Sequence, residues 1–101
     1  MSLETLQALA DPTRRRIVEL LAEDDRSAGA LAEHFEVSRP AVSRHLRVLR
    51  EAGLVDVRPD AQQRIYRLRP EPFDEVVDWV RRLRGFWDAR LDALDLEVRR
   101  E

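Results

Sequence analysis

Apolar residues fall at helical spacing in five stretches of this chain and at strand spacing in two more. Leu3, Leu6 and Leu9 form the first stripe, with Ser2 placed to cap it. Two turns of helix are unstable alone, so this segment must dock on something. Asp11-Pro12 restarts the chain as N-cap and first helical residue. Ile17, Val18, Leu20 and Leu21 follow, and the helix runs out at Asp24-Asp25. Ser27 caps a short third helix carrying Ala28, Leu31, Ala32 and Phe35. Ser38 caps a fourth, which tolerates Pro40 in its first turn and turns Val42, Leu46 and Leu49 inward. It stops at Gly53, where a left-handed residue is wanted. Helices over 27–34 and 38–52, joined by a short turn, have helix-turn-helix geometry.

The strand-like runs are Leu54 to Arg58 and Arg64 to Arg69, with 59–63 between them as a hairpin loop. Alternation puts Tyr66 and Leu68 on one face and Ile65 and Arg67 on the other. A lone hairpin is marginal, so the first of these faces should pack on the helices, making the hairpin a wing. Pro70-Glu71-Pro72 then breaks the strand and starts a final helix over about 72–99, roughly 40 Å long at 1.5 Å per residue. Its apolar arc holds Phe73, Val76, Val77, Val80, Leu83, Trp87, Leu91, Leu94 and Val98, widened by Trp79 and Phe86. No body of this size has surface enough to cover that stripe. The expected cover is the same helix of a second copy, joined by the first helix: Leu3, Leu6, Trp79, Leu83, Phe86, Trp87, Leu91 and Leu94 are the expected homodimer interface.

Length and charge sharpen this picture. With 101 residues the chain makes one domain, 1–101, mainly α with a two-stranded β wing. The net charge of −2 argues against a nucleic-acid partner, but its distribution argues for one. Between Ser38 and Arg69 stand eight arginines and only Glu51, Asp56 and Asp60, so this stretch carries +5 while the rest carries −7. A basic segment on an acidic body is suited to directed binding of a polyanion. There is no cysteine, which excludes disulfides and thiolate metal sites. No apolar run reaches membrane-spanning length and no signal peptide is evident, so a cytoplasmic protein is expected. An enzyme is not: the chain lacks a Cys nucleophile and a glycine-rich phosphate loop, and His34 and His45 stand on different helices.

These elements, in this order, resemble the ArsR-type family of bacterial winged helix-turn-helix repressors. The resemblance rests on Ala8-Leu9-Ala10-Asp11-Pro12-Thr13-Arg14-Arg15-Arg16-Ile17, on Ser38-Arg39-Pro40-Ala41-Val42-Ser43-Arg44-His45-Leu46 with Leu49-Arg50-Glu51-Ala52-Gly53-Leu54-Val55, and on Tyr66-Arg67-Leu68. It covers roughly residues 5–90. It implies a homodimeric repressor on an inverted-repeat operator in double-stranded DNA, autorepression included, with activation as a variant of the same reading. Where relatives often have Gly before the recognition helix, this chain has Glu36, strained if that position is left-handed. Family metal sensors use paired cysteines on the third helix, or His and carboxylates on the last. Here there is no Cys and no His after His45, so the resemblance is to the metal-independent branch. No metal and no cofactor is expected. Asp74, Glu75 and Asp78 offer a hard-ion site as an alternative, but their helix N-terminus explains them better. Nothing names a small-molecule effector.

With Val42, Leu46 and Leu49 inward, the fourth helix turns Arg39, Pro40, Ser43, Arg44 and Arg47 outward. Arg39, Ser43 and Arg44 are the candidates for base edges, since arginine pairs bidentately with guanine; Arg47 is suited to phosphate. Ser38 and the helix N-terminus offer amides to a phosphate. Arg58, Arg64 and Arg67 are the wing's candidates. His45, beside the buried stripe, reads as a hydrogen-bonded residue on the flank of the core, with a pH sensor or metal ligand as the alternative; His34 reads as surface. The competing function is a winged-helix protein-interaction module, which would show apolar residues where this helix shows arginines and serine.

Overall fold

Side-chain capping sets where the helices begin. The structure, a computed structural model, describes the backbone of residues 3–99 and the side chains of residues 3–95. The expected Ser2 cap and the Val98 side chain lie outside that range. The elements run α1 (Leu3–Leu9), α2 (Pro12–Glu23), β1 (Arg26–Ser27), α3 (Ala28–Ala32), α4 (Arg39–Glu51), β2 (Val55–Asp60), β3 (Gln63–Leu68) and α5 (Glu71–Arg99). Asp11 Oδ1 accepts from the Arg14 amide at 3.0 Å, Ser27 Oγ from the Ala30 amide at 3.1 Å and Ser38 Oγ from the Ala41 amide at 3.3 Å. Each takes one of the amides that a helix start leaves without an internal partner.

The Asp11 cap gives a pH-dependent prediction. The Arg14 amide holds the Asp11 carboxyl below its usual range, and burial opposes this. A depressed folded-state pKa contributes stability above the unfolded value, and that stability is lost as pH falls through the folded one. Asp11→Ala is expected to cost about 1 kcal/mol at neutral pH. The difference from wild type should shrink in urea melts below about pH 4, the range of a free aspartate.

Ile17, Leu20 and Leu21 of α2, Leu31 of α3, and Val42, Leu46 and Leu49 of α4 meet Leu54 and Val55 in one buried cluster. The first helix joins it differently from its leucine stripe. Thr5 and Ala8 are the buried residues of α1, Leu9 packs partly against the core, and Leu3 is 68% exposed. Small side chains let α1 lie close on α2 and α4, which turns the larger Leu3 outward.

The sheet has three strands rather than two, in the order β1-β3-β2 and all antiparallel. Arg26 pairs with Tyr66 and Ser27 with Ile65, so the residue that caps α3 also ends a strand. The expected five-residue hairpin loop is a two-residue turn. Asp60 pairs with Gln63, and Ala61 bridges with φ +55°, the left-handed conformation that tight hairpin turns require. Pro59 sits in β2, an edge strand, where a missing amide is tolerated. Gly53 has φ +77°, as its stop position demands. Glu36 is not left-handed, so the strain conditional on that geometry is absent. The turn before α4 is closed instead by His34 N–H to Leu31 O and Phe35 N–H to Ala32 O, both 3.1 Å.

Helix α5 is anchored at its start, where Phe73 packs against the core, and then leaves the body. From Val77 onward its described residues are exposed, Phe86 by 73% and Trp87 by 58%. The chain extends 71 × 26 × 23 Å with a radius of gyration of 19.0 Å; a compact chain of this length would have about 13 Å. No helix among the described residues is long and apolar enough to cross a membrane.

Candidate nucleic-acid interface

Three residues of α4, Val42, Leu46 and Leu49, are fully buried, and this fixes which way the rest of the helix points. Ser38, Arg39, Pro40, Ser43, Arg44 and Arg47 are all exposed. They divide into two rows. Arg39, Ser43 and Arg47 succeed one another at four-residue intervals and, with Arg50, line one wall of a cleft of about 1140 Å³. Pro40 and Arg44 lie outside that cleft, with Arg44 on the side of the helix turned away from the core.

The far wall of the cleft is the wing, through Gln62, Gln63, Arg64 and Tyr66. Its floor is α3, at Gly29. The Arg39 guanidinium lies against α3 there, and a Cβ on Gly29 would meet its Nη2 at 3.4 Å, about van der Waals contact. Glu33 and Glu51 also line the cleft, but no ion pair joins them to Arg39, Arg47, Arg50 or Arg64 among the described residues. These four guanidiniums can therefore face an external anion without first breaking an internal bridge.

The wing divides the arginines expected on it. Arg64 faces the cleft with Tyr66. Arg58 and Arg67 do not: strand alternation puts them on the opposite face, and each is ion-paired. Arg58 Nη1 lies 3.2 Å from Asp25 Oδ2, and Arg67 Nη2 lies 3.0 Å from Asp56 Oδ2. The Asp56 hydrogen bond and charge hold Arg67 yet more firmly in its cationic form. Arg69 bridges Asp56 and Glu71 on the same side of the wing.

The helix N-terminus offers less than its sequence promises. Ser38 Oγ occupies the Ala41 amide and Pro40 has none, which leaves Arg39 to supply a first-turn N–H. Sequence reasoning missed Arg50, Gln62 and Gln63. Arg50 was recoverable, since it continues the row of Ser43 and Arg47 one turn further on. The glutamines were hidden by the loop assignment at the hairpin tip.

No group of three or more His, Cys, Asp or Glu side chains converges in a way that could hold a metal ion among the described residues. The expected dimer residues Leu3, Trp79, Leu83, Phe86, Trp87, Leu91 and Leu94 are exposed in the single chain, and Leu6 is half-buried.

Comparison with known proteins agrees with this geometry. Residues 11–57, from the cap of α2 into β2, match the family described as bacterial regulatory protein, arsR family. The HTH-type transcriptional regulator Rv2034 of Mycobacterium tuberculosis is 48% identical over 85 residues, covering 79% of each chain. The transcriptional repressor SdpR of Bacillus subtilis is 36% identical over 74 residues, covering 73% of this chain and 82% of its own. Among solved structures, an ArsR-like transcriptional regulator from Rhodococcus sp. RHA1 superposes with a TM-score of 0.82 at 31% identity, over 97% of this chain and 90% of that one.

Proposed function

Because this chain belongs to the arsR family of bacterial regulatory proteins, whose members are DNA-binding transcription regulators rather than enzymes, we propose that it is a cytoplasmic homodimeric repressor of an inverted-repeat operator, its own promoter included. The observation that carries the proposal is the outward face of α4. Arg39, Ser43, Arg44 and Arg47 stand exposed opposite a buried apolar face, beside a cleft walled by a wing. A duplex laid on that face brings Arg44, Arg39 and Ser43 to base edges in the major groove. The adjacent phosphates enter the cleft between Arg47, Arg50 and Arg64, and the wing tip at Gln62 and Gln63 reaches the next minor groove. Arg58 and Arg67 stand on the other face of the wing in exposed ion pairs that cost little to break, so they remain available to the backbone of the duplex.

The second copy is called for by α5. An amphipathic helix whose apolar arc meets water from Val77 to Leu94 is stable only when covered, and an identical helix supplies a matching stripe. Metal-independence is supported by composition: the chain has no cysteine, and both histidines precede α5.

The direct test is selection of bound duplexes from a random pool, followed by titration of the winner against salt. Two protomers that each place three or more arginines on phosphate give a slope of log K against log salt of about −5 or steeper. The selected sequence should show imperfect dyad symmetry, with half-site centres about one helical turn apart. A slope near zero, or a pool that converges on nothing, removes the assignment.

A further inference from the structure

Outside the cleft, one side chain holds three helices at once. The Arg14 amide is taken by Asp11, which fixes the root of this residue in the first turn of α2. Its guanidinium then reaches in two directions. Nε donates to Ala8 O at 2.7 Å and Nη2 to Gln7 O at 3.2 Å, both carbonyls at the end of α1. Nη1 donates to Nδ1 of His45, in the middle of α4, at 3.3 Å. Ala8 O is among the carbonyls a helix end leaves without an internal partner, Gln7 O also accepts from the Ala10 amide at 3.2 Å, and a cation there meets the favourable end of the helix dipole. The third bond has no such structural excuse. It ties the end of α1 to the flank of the helix that carries Arg44 and Ser43.

The chemistry of that bond is fixed by its donor. A guanidinium has five N–H groups and no acceptor, so His45 Nδ1 must be unprotonated. The bond therefore requires the imidazole tautomer that carries its proton on Nε2. The charged groups about it are Arg14 itself and, through space, Asp11.

We propose that Arg14 is a positioning residue for DNA recognition, setting the rotation of α4 relative to α1 through its bond to His45. This rests on the DNA-binding reading above. Base contacts tolerate misplacement of only about 0.5 Å. The buried residues Val42, Leu46 and Leu49 set which face of α4 turns outward. A hydrogen bond on the flank adds a directional constraint to that rotation. Since α1 also carries Leu3 and Leu6 of the proposed dimer face, the same residue refers the reading helix of each protomer to the twofold axis.

The test compares affinities for two short duplexes, the winner of the random-pool selection and a scrambled duplex of equal composition, by fluorescence anisotropy. The ratio of the two isolates recognition, because phosphate attraction is common to both. Arg14→Met and His45→Leu should each lower the ratio about tenfold, the scale on which residues remote from a ligand modulate binding. The double variant should fall no further than the worse single one. His45→Asn, which puts a carbonyl acceptor where Nδ1 stood, should restore recognition. Nitrogen-15 spectra of the wild type should show His45 protonated on Nε2 alone, and Arg14→Met should move the Nδ1 resonance. The proposal is overturned if the two single losses multiply in the double variant, if both duplexes weaken in parallel with falling melting temperature, or if Nδ1 carries the proton. A wild type that cannot tell the duplexes apart removes the DNA reading and this inference with it. Variants that discriminate as well as a discriminating wild type remove the role of Arg14 alone.

Discussion

Leu83→Glu combined with Trp87→Glu is expected to turn the protein into monomers and to lower operator affinity by about two to four orders of magnitude. The two side chains stand four residues apart on α5, both exposed, in the middle of the apolar arc. A carboxylate at each would be buried without a partner in any helix pairing along that arc, which such pairings do not survive. The DNA-binding body should stay folded, because neither residue touches the cluster of Ile17, Leu31, Leu46 and Leu54. Each monomer then meets one half-site alone, and the loss equals the avidity of linking two, about 10²–10⁴-fold. Sedimentation and anisotropy on the same samples check both halves of the statement. A variant that remains dimeric would show that the arc is covered by something other than its own copy.

The second large effect belongs to α4. Arg44→Ala and Arg39→Ala should each cost about 1–3 kcal/mol per half-site, the worth of a bidentate pair with guanine. Both half-sites change in a homodimer, so the total approaches twice that. The selected operator should lose preference at one symmetric pair of positions for each variant, while affinity for scrambled DNA falls little. Arg47→Ala makes the contrast: it should weaken every duplex alike and reduce the salt slope by about 1 per half-site. If Arg44→Ala behaves like Arg47→Ala, the outermost arginine is holding phosphate and the reading residues lie elsewhere on the row.

How far the residues alone foretold this depends on how local the determining physics is. Helix starts were legible because Asp11, Ser27 and Ser38 each act on an amide three positions away, and Gly53 marked its own left-handed stop. The outward row of α4 followed from the inward one by periodicity. What escaped was set by partners distant in sequence. Arg26 and Ser27 show no alternation; they are a strand only because Tyr66 and Ile65 are there to pair with. Ala61 adopts the conformation usually left to Gly or Asn, so the tight turn carried no signal and the glutamines beside it were read as loop. Arg58 and Arg67 count as basic in any sequence tally, but Asp25 and Asp56 neutralise them across the fold. Thr5 displaced Leu3 from the inside of α1 because close helix approach favoured the smaller side chain.

The shortest strand has a mechanical consequence. Ser27 ends β1 and caps α3 in one stroke, and Arg26 Nε is held by Leu20 O at 3.1 Å. The base of the hairpin is thereby tied to the scaffold that carries α4, and in the proposed complex the spacing between wing and α4 is set by the fold rather than by the duplex. A caliper whose jaws cannot open measures by making its object yield. The compliance in such an encounter lies in the duplex, where pyrimidine–purine steps give way most readily, and some discrimination is then exercised at positions that no side chain reaches.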